Sequence, residues 1–373
     1  MNAHELLRSI QLAGNRVRSN KGDLYETIRQ LKNTKYDFII ERKKQDNEEM
    51  PTDYQDSHFY YMAKIAFDIL VNSVESEKII FKNREITSRP LPLYGTVDFD
   101  SFNAFIATDD GATIIALNNG LLKFTQKIIE LVAKEHYLRS KNIFNIARQE
   151  LFTRNFIDVM ISFHIYADSY FAIPLDLCGV KSVDDLKDDN KVDEHLSSEI
   201  GLYDETYLPF LCDIEDATYL WIVAHEYAHL LLGHLDGKEP TTKKLNDIDV
   251  QAIDFSWQQE YDADSLGAVI AMQSFSSLNQ VHGIYLALIC LFLCTYQSQD
   301  EPPSHPPARL RINNVFDSLK SHNHDTSHYR NIDNIIGPKL TKYKEFLSVY
   351  KSNVGNSASL LELQRYIYNE YEL

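Results

Sequence analysis

Glycine, proline and cysteine are all scarce in this chain of 373 residues. The 13 glycines and 11 prolines exclude collagen-like and low-complexity chains, and they disfavour all-β folds rich in turns. Four cysteines without a CxxC pair exclude a disulfide scaffold and indicate a reducing compartment. Basic side chains number 37 against 54 acidic ones, a net charge of −17, so we expect no nucleic acid as a partner.

Targeting and membrane segments are missing as well. The first thirty residues carry charges throughout and contain no apolar run of a secretory signal. The longest strongly apolar stretch, 284–296, is shorter than the roughly 20 residues that a membrane span needs. We therefore expect a cytoplasmic protein without stable membrane insertion. GxSxG, P-loop and GxGxxG motifs are also missing, so serine hydrolases, P-loop nucleotidases and Rossmann dehydrogenases have no support.

The pattern along the chain predicts a predominantly helical α+β fold. Charged helical segments fill residues 1–90 and predict a helical N-terminal extension to a second domain, 91–373. Helical periodicity continues after residue 120 and predicts a helical insertion at about 125–210. Between these segments, two apolar runs flank the turn at 109–111 and predict a β-hairpin. The polar stretch 236–249 is interpreted only as a separator between two helices.

One stretch, residues 221–234 (WIVAHEYAHLLLGH), is apolar around a few polar side chains. It predicts a buried helix with Asp213 or Asp216 as N-cap and Gly233 as its stop. His225 and His229 lie one helical turn apart on one face, so both imidazoles can reach a single metal ion. Two imidazoles in an apolar helix would cost several kcal/mol if nothing satisfied them.

A catalytic zinc ion usually takes a third protein ligand. His234 lies five residues after His229 and points to a different face, and Asp236 lies beyond the expected helix end, so neither is favoured. The better candidates are Glu260 and Asp264 in the segment EYDAD, which lie four residues apart on one helix face. One carboxylate can bind zinc while the other accepts the free N–H of a ligand histidine.

Together, HEYAH and EYDAD resemble the gluzincin pattern of the HtpX-like and CaaX-prenyl-protease-like metallopeptidases. Residues 103–122 resemble the NAF…GLL stretch of that family, and residues 304–312 resemble its HPP…RI motif. The resemblance implies a minigluzincin-like core, in which a small β-sheet with an edge strand lies over the HExxH helix. The C-terminal half also resembles the soluble bacterial phage-exclusion peptidases of the Lit type, which cut a translation factor.

The resemblance also implies the site residues. One zinc ion per chain would bind three ligands, with a glutamate as the base and an aspartate behind a ligand histidine. The ligands are His225, His229 and Glu260, the base is Glu226, the supporting aspartate is Asp264, and His305 or Arg311 lies near the reacting carbonyl.

This constellation predicts a zinc metalloendopeptidase with a protein or peptide substrate, in bacterial stress or phage defence. Unpaired backbone groups of the expected edge strand, at Asn103, Ala104 and Phe105, would bind an extended substrate as an added strand. The helical additions are natural places for a regulatory partner or a lid. The alternative is a catalytically silent, zinc-stabilised sensor or binding module, against which the retained Glu226 argues.

Overall fold

The structure is a computed structural model. It describes residues 2–13, 52, 57–97, 104–109, 112–140, 149, 152–153, 156, 159–160, 207–245, 248–274, 279–295, 306–327 and 329–354. The chain divides into two compact units, one formed by residues 1–126 and 212–328 and the other by residues 127–211 and 329–373. The predicted boundary at residue 90 and the predicted insertion stay predictions.

Helices predominate in the described part of the chain, and the strands are short. This confirms the expected helix-rich α+β composition. The helices are α1 (Ala3–Ala13), α2 (Ser57–Ser76), α3 (Asn119–Ser140), α4 (Tyr207–Leu231), α5 (Trp257–Ser274), α6 (Asn279–Thr295), α7 (Ala308–Ser321) and α8 (Tyr329–Val354). The strands are β1 (Ile79–Phe81), β2 (Arg84–Ile86), β3 (Leu93–Val97), β4 (Phe105–Asp109), β5 (Ala112–Asn118), β6 (Thr241–Leu245) and β7 (Ile248–Ala252).

Five of the strands form one sheet in the order β3-β5-β4-β7-β6. Strand β3 runs parallel to β5, and the other neighbours are antiparallel. The predicted hairpin is confirmed, because Asp109 of β4 pairs with Ala112 of β5 across the turn. One face of the sheet is covered by α1, whose Leu6, Leu7 and Ile10 pack in a buried cluster with residues of β3, β4, β5 and β7.

Strand β4 is not at the edge of this sheet, contrary to the sequence-based expectation. It lies between β5 and β7, and it meets β7 through the pair Ala107–Ala252. The hairpin of β6 and β7 comes from residues 241–252, most of which lie in the polar stretch predicted as a separator between two helices. Strand β7 alternates apolar and polar residues along Ile248–Ala252, the pattern of a half-buried strand.

The helix that carries HEYAH begins earlier than expected. Asp213 and Asp216 lie inside α4 and do not cap it, because the helix already begins at Tyr207. Pro209, its third residue, is tolerated there because the first four N–H groups of a helix have no intrahelical partner. The predicted end is confirmed, since α4 ends at Leu231 and Gly233 has a φ of +72°.

In the second unit, a buried ion pair joins α3 and α8. The ammonium of Lys339 contacts the carboxylate of Glu135, and both side chains are almost fully buried. Nε of Arg139 donates a 2.9 Å hydrogen bond to the same carboxylate, and Lys339 also donates to the carbonyl of Ile335 at 3.0 Å. Burial lowers the pKa of Lys339. A buried charged contact thus links α3 and α8.

No helix in the described part of the chain combines the length and the apolarity needed to cross a membrane.

Candidate metal centre

Helix α4 brings its two histidines together in the interior of the first unit. The Nε2 atoms of His225 and His229 lie 3.3 Å apart. The two side chains are 8% and 1% exposed, so neither imidazole is a surface group. The predicted one-turn spacing therefore places two imidazole nitrogens, each able to bind a metal ion, next to each other in a buried position.

Helix α5 supplies the third group. The carboxylate of Glu260, which is 2% exposed, lies with Oε2 3.6 Å from Nε2 of His225 and with Oε1 3.7 Å from Nε2 of His229. Among the described residues, these three form the group of side chains whose ligand atoms converge, all within 4.8 Å of one another.

The donor set fits zinc. Two imidazoles and one carboxylate, with a fourth position left for water, are the ligands of many catalytic zinc sites. Ligand atoms bound at about 2.0–2.1 Å to a tetrahedral ion lie about 3.3–3.4 Å apart. The separations of 3.3, 3.6 and 3.7 Å between the atoms of His225, His229 and Glu260 are close to that value.

Asp264 and Arg311 form a layer behind His225. Oδ1 of Asp264 lies 2.9 Å from Nδ1 of His225, on the opposite side of the ring from the converging Nε2 atom. Arg311 donates from Nε and from one Nη to the two oxygens of Asp264, at 2.7 Å each, and this Nη lies 3.8 Å from Oε2 of Glu260. The distance of 2.9 Å brings the Asp264 carboxylate close to His225, and its predicted role as support of a ligand histidine stays a prediction.

His229 is supported differently, by contacts that the sequence analysis missed. Its Nδ1 lies 3.0 Å from Nδ1 of the buried His234. The ring of Phe255 stacks on the His229 imidazole, with 3.7 Å between the ring centroids. Lys238 holds this region in place, because its Nζ donates to the carbonyl of Asp254 at 2.6 Å and lies 5.3 Å from the Phe255 ring. The sequence signal that could have predicted this contact is Gly233, which ends the helix, followed directly by His234.

The electrostatics of the centre favour a cation. Burial raises the pKa of Glu226, and it raises the pKa of Glu260 to about 7. Burial acts on Asp264 in the same direction, but Arg311 and His225 outweigh it and hold the pKa of Asp264 well below its usual range. Burial would lower the pKa of His225, but Asp264 and Glu260 outweigh it and hold this pKa above its usual value. A divalent ion would satisfy the same carboxylates without protonating an imidazole.

Close packing of the two helices depends on Gly267. A Cβ atom at this position would come within 3.0 Å of the carbonyl carbon of Ala224 and the backbone nitrogen of His225. Gly267 lies one turn after Asp264 on α5, so the close approach occurs beside the residues that meet the histidines. The missing side chain allows α5 to carry Glu260 and Asp264 to the face of α4.

The other predicted site residues have mixed outcomes. Glu226 is buried, at 5% exposed, on the same helix as the two histidines. Ala104 is buried just before β4, and Phe105 is the half-buried first residue of that strand. Asn103 and His305 lie outside the described residues. For Arg311, the structure shows contact with Asp264, a role that the sequence analysis did not assign to it.

The beginning of β4 is connected to the metal centre through a short segment. The backbone N–H of Ile253 donates to the carbonyl of Ile106 at 3.2 Å. Two residues further along the chain, Phe255 stacks on His229. The sheet and the candidate metal ligands are therefore linked by three consecutive residues, 253–255.

Comparison with known proteins agrees with part of this picture. Residues 209–333 match the family described as Peptidase U49. No curated protein and no solved structure matches the chain. The matched segment is about one third of the chain, and it includes every described residue of the metal centre and the layer behind it. This family match agrees with the resemblance to Lit-type peptidases. The resemblance to HtpX-like enzymes stays a prediction.

Proposed function

We propose that the protein is a zinc-dependent metalloendopeptidase that hydrolyses peptide bonds of a specific intracellular protein. The observation that carries the proposal is the convergence of the His225, His229 and Glu260 ligand atoms within 4.8 Å of one another. The match to a peptidase family over residues 209–333 supports hydrolysis of peptides as the reaction.

One zinc ion per chain would be held by Nε2 of His225, Nε2 of His229 and the Glu260 carboxylate. A zinc ion so held lowers the pKa of water and polarises a carbonyl group. Glu226 acts as the general base, taking a proton from the attacking water and delivering it to the leaving nitrogen. Burial, which raises the pKa of Glu226, makes its carboxylate a better proton acceptor.

The residues behind the ligands keep them in position. Oδ1 of Asp264 lies 2.9 Å from Nδ1 of His225 and would accept its proton in the metal-bound site, leaving the lone pair of Nε2 for the metal ion. Arg311 compensates the charge of Asp264 through two hydrogen bonds. Because Nε and one Nη of Arg311 are engaged in this way, we assign the role near the reacting carbonyl to His305 in preference to Arg311.

A substrate would bind along the start of β4. The pairing of β4 with β7 is at Ala107, two residues after the strand begins. We propose that an extended substrate pairs with the backbone at Asn103, Ala104 and Phe105. It would lie on the side of β4 that pairs with β7, beyond the end of that pairing. The link through residues 253–255 would place its peptide groups near His229.

The biological setting belongs to the same proposal. The resemblance of the C-terminal half to Lit-type peptidases, together with the family match, supports a role in phage defence or a related stress response of a bacterium. Such an enzyme would work in the cytoplasm and would need restraint by a partner or a lid.

The test compares wild-type protein with Glu226→Gln, using Glu239→Gln as the matched control because Glu239 is exposed. Cells that express each protein are compared by N-terminal proteomics. We expect new protein termini with wild type and with Glu239→Gln, and none with Glu226→Gln, while bound zinc and the folded fraction stay equal in all three. Zinc binding without any new termini in wild type would instead support the catalytically silent, zinc-stabilised binding module.

A further inference from the structure

His234 comes back to the metal centre because of the way in which helix α4 ends. The N–H of His234 donates to the carbonyl of His229 at 3.0 Å, and the N–H of Gly233 donates to the carbonyl of Leu230 at 3.0 Å. With Gly233 at a φ of +72°, these two bonds form a Schellman motif. The motif brings the residue after the glycine close to the residue five positions earlier, which here is the ligand histidine.

A Schellman motif is frequently accompanied by a hydrophobic contact between the residues that it brings together. Here both are histidines, and their Nδ1 atoms lie 3.0 Å apart. His234 is 9% exposed and His229 is 1% exposed, so the contact is shielded from solvent. A contact of this length between two ring nitrogens is a hydrogen bond in which one nitrogen carries the proton and the other accepts it.

The direction of this bond follows from the position of the other ring nitrogen. Nε2 of His229 faces His225 and Glu260, at 3.3 and 3.7 Å. For Nε2 to offer a lone pair to a metal ion, the ring proton of His229 must be on Nδ1, and Nδ1 then donates to His234. His234 must accept through Nδ1, and therefore carries its own proton on Nε2.

We propose that His234 is a positioning residue that fixes the tautomer and the ring orientation of the zinc ligand His229. The inference rests on the metal site of the proposed function and adds a residue to it. The two ligand histidines would then be held by different chemistry, since a carboxylate accepts from His225 and a neutral imidazole accepts from His229. A neutral acceptor orients the ring without adding another negative charge to a centre that already contains three carboxylates.

Two features of the turn hold His234 in this position. The N–H of Asp236 donates to the carbonyl of Gly233 at 3.1 Å and closes the turn, and the guanidinium of Arg89 donates to both oxygens of Asp236 at 2.8 and 2.9 Å, which ties this turn to another part of the chain. Gly233 has a φ of +72°, a left-handed backbone conformation that favours glycine, so the tight turn depends on this residue. Phe255, stacked on the His229 ring, leaves that imidazole little freedom to rotate away from His234.

The test uses two substitutions of similar size. In His234→Asn, the side-chain Oδ1 is bonded to Cγ as Nδ1 is in histidine, so it can accept the same hydrogen bond. In His234→Leu, a methyl group takes that place and accepts nothing. We expect His234→Leu to lower zinc affinity by about 10- to 100-fold, as loss of such partners usually does, and His234→Asn to retain most of the affinity.

Zinc affinity is measured by competition with a chelator, and thermal unfolding of the zinc-free proteins reports any loss of fold. A second measurement is independent of the variants. Nitrogen NMR of zinc-loaded wild type should show His229 protonated at Nδ1, His234 protonated at Nε2, and a coupling across the hydrogen bond between the two Nδ1 atoms.

The outcomes separate this inference from the proposed function. If wild type binds zinc and His234→Leu binds it equally well, or if His234 is protonated at Nδ1, the positioning role is wrong while the metal site stands. If wild type binds no zinc, the metal site itself is wrong and the role of His234 falls with it. A graded loss of affinity, small in His234→Asn and large in His234→Leu, supports the inference.

Discussion

Arg311 on helix α7 donates two hydrogen bonds of 2.7 Å to Asp264 on helix α5, and both side chains are almost fully buried. The same carboxylate lies 2.9 Å from the ring of His225 on α4. One buried aspartate thus connects three helices at the point where the candidate metal ligands meet. The carboxylate whose charge Arg311 compensates is therefore the one that contacts the candidate ligand His225.

Loss of Arg311 should be costly for this reason. Arg311→Met leaves the Asp264 carboxylate buried without its guanidinium, and we expect a loss of about 3–5 kcal/mol in the free energy of unfolding. Urea denaturation of the zinc-free protein measures it. Arg309→Met is the matched control, because Arg309 is exposed on the same helix, and it should change the free energy little. Equal midpoints for the two variants would contradict the expectation.

Glu260→Ala should abolish tight zinc binding. The substitution removes one of the three converging ligand atoms and leaves two imidazoles, which hold zinc far more weakly than three ligands do. Metal analysis after dialysis should give one zinc per chain in wild type and a small fraction of that in the variant. Asp262→Ala, a change two residues away on the same helix, serves as control. Unchanged zinc in Glu260→Ala would remove this residue from the ligand set.

Removal of zinc should lower thermal stability in a concentration-dependent way. An ion that binds only the folded state adds about 4 kcal/mol when its free concentration is about 1,000 times the dissociation constant. Calorimetry over a series of buffered zinc concentrations should therefore show a rising midpoint in wild type. Glu260→Ala should show a nearly constant one. A midpoint that does not depend on zinc in wild type would argue against a metal that binds in the folded interior.

Gly267→Ala should push helices α4 and α5 apart. The added methyl group would come within 3.0 Å of backbone atoms of Ala224 and His225, and overpacking of this kind costs about 1–3 kcal/mol. We expect weaker zinc binding as well, because Glu260 is on the displaced helix. Gly237→Ala is the control, since nothing lies within 4 Å of its Cβ position and its cost comes only from a φ of +70°. The contrary result would be a Gly267→Ala protein with wild-type stability and zinc affinity.

The buried ion pair of the second unit gives a separate prediction. Lys339→Met leaves Glu135 with Arg139 as its remaining charged contact, and we expect a loss of about 3 kcal/mol in the free energy of unfolding. The double variant Glu135→Leu with Lys339→Met should recover much of this loss, because no buried charge is left without compensation. Lys342→Met, at an exposed position of the same helix, is the control. Denaturant titrations that show no recovery in the double variant would contradict this explanation.

The local sequence pattern alone predicts which residues share a helix face at the candidate metal centre. The spacing of His225 and His229 fixes a shared helix face, and Glu260 and Asp264 share another, so the periodicity of a helix predicts both pairs without knowledge of the fold. That the two pairs meet in space was predicted from the need for a third metal ligand and from the resemblance to known peptidases. The structure adds a physical reason in Gly267, which lets the two helices approach closely.

The contacts that sequence reasoning missed depend on irregular backbone or on distant pairing. Five residues of regular helix carry His234 away from His229, and only the left-handed conformation of Gly233 reverses this. The edge position expected for β4 was wrong because β7, short and polar on alternate residues, pairs with it across more than 130 residues of chain. The contact of Arg311 with Asp264 joins residues 47 apart in sequence, which no local pattern predicts.

The residues at the end of helix α4 form a short sequence motif that indicates the local geometry of the site. Because the Schellman turn depends on Gly233 and the imidazole pair depends on His234, the string HExxHxxxGH contains both the residue that ends the helix and the residue that contacts His229. A chain that keeps this ten-residue string keeps the glycine and the histidine on which the buried imidazole pair depends. A chain that has only the HExxH motif needs a residue from another part of the fold to orient its second histidine.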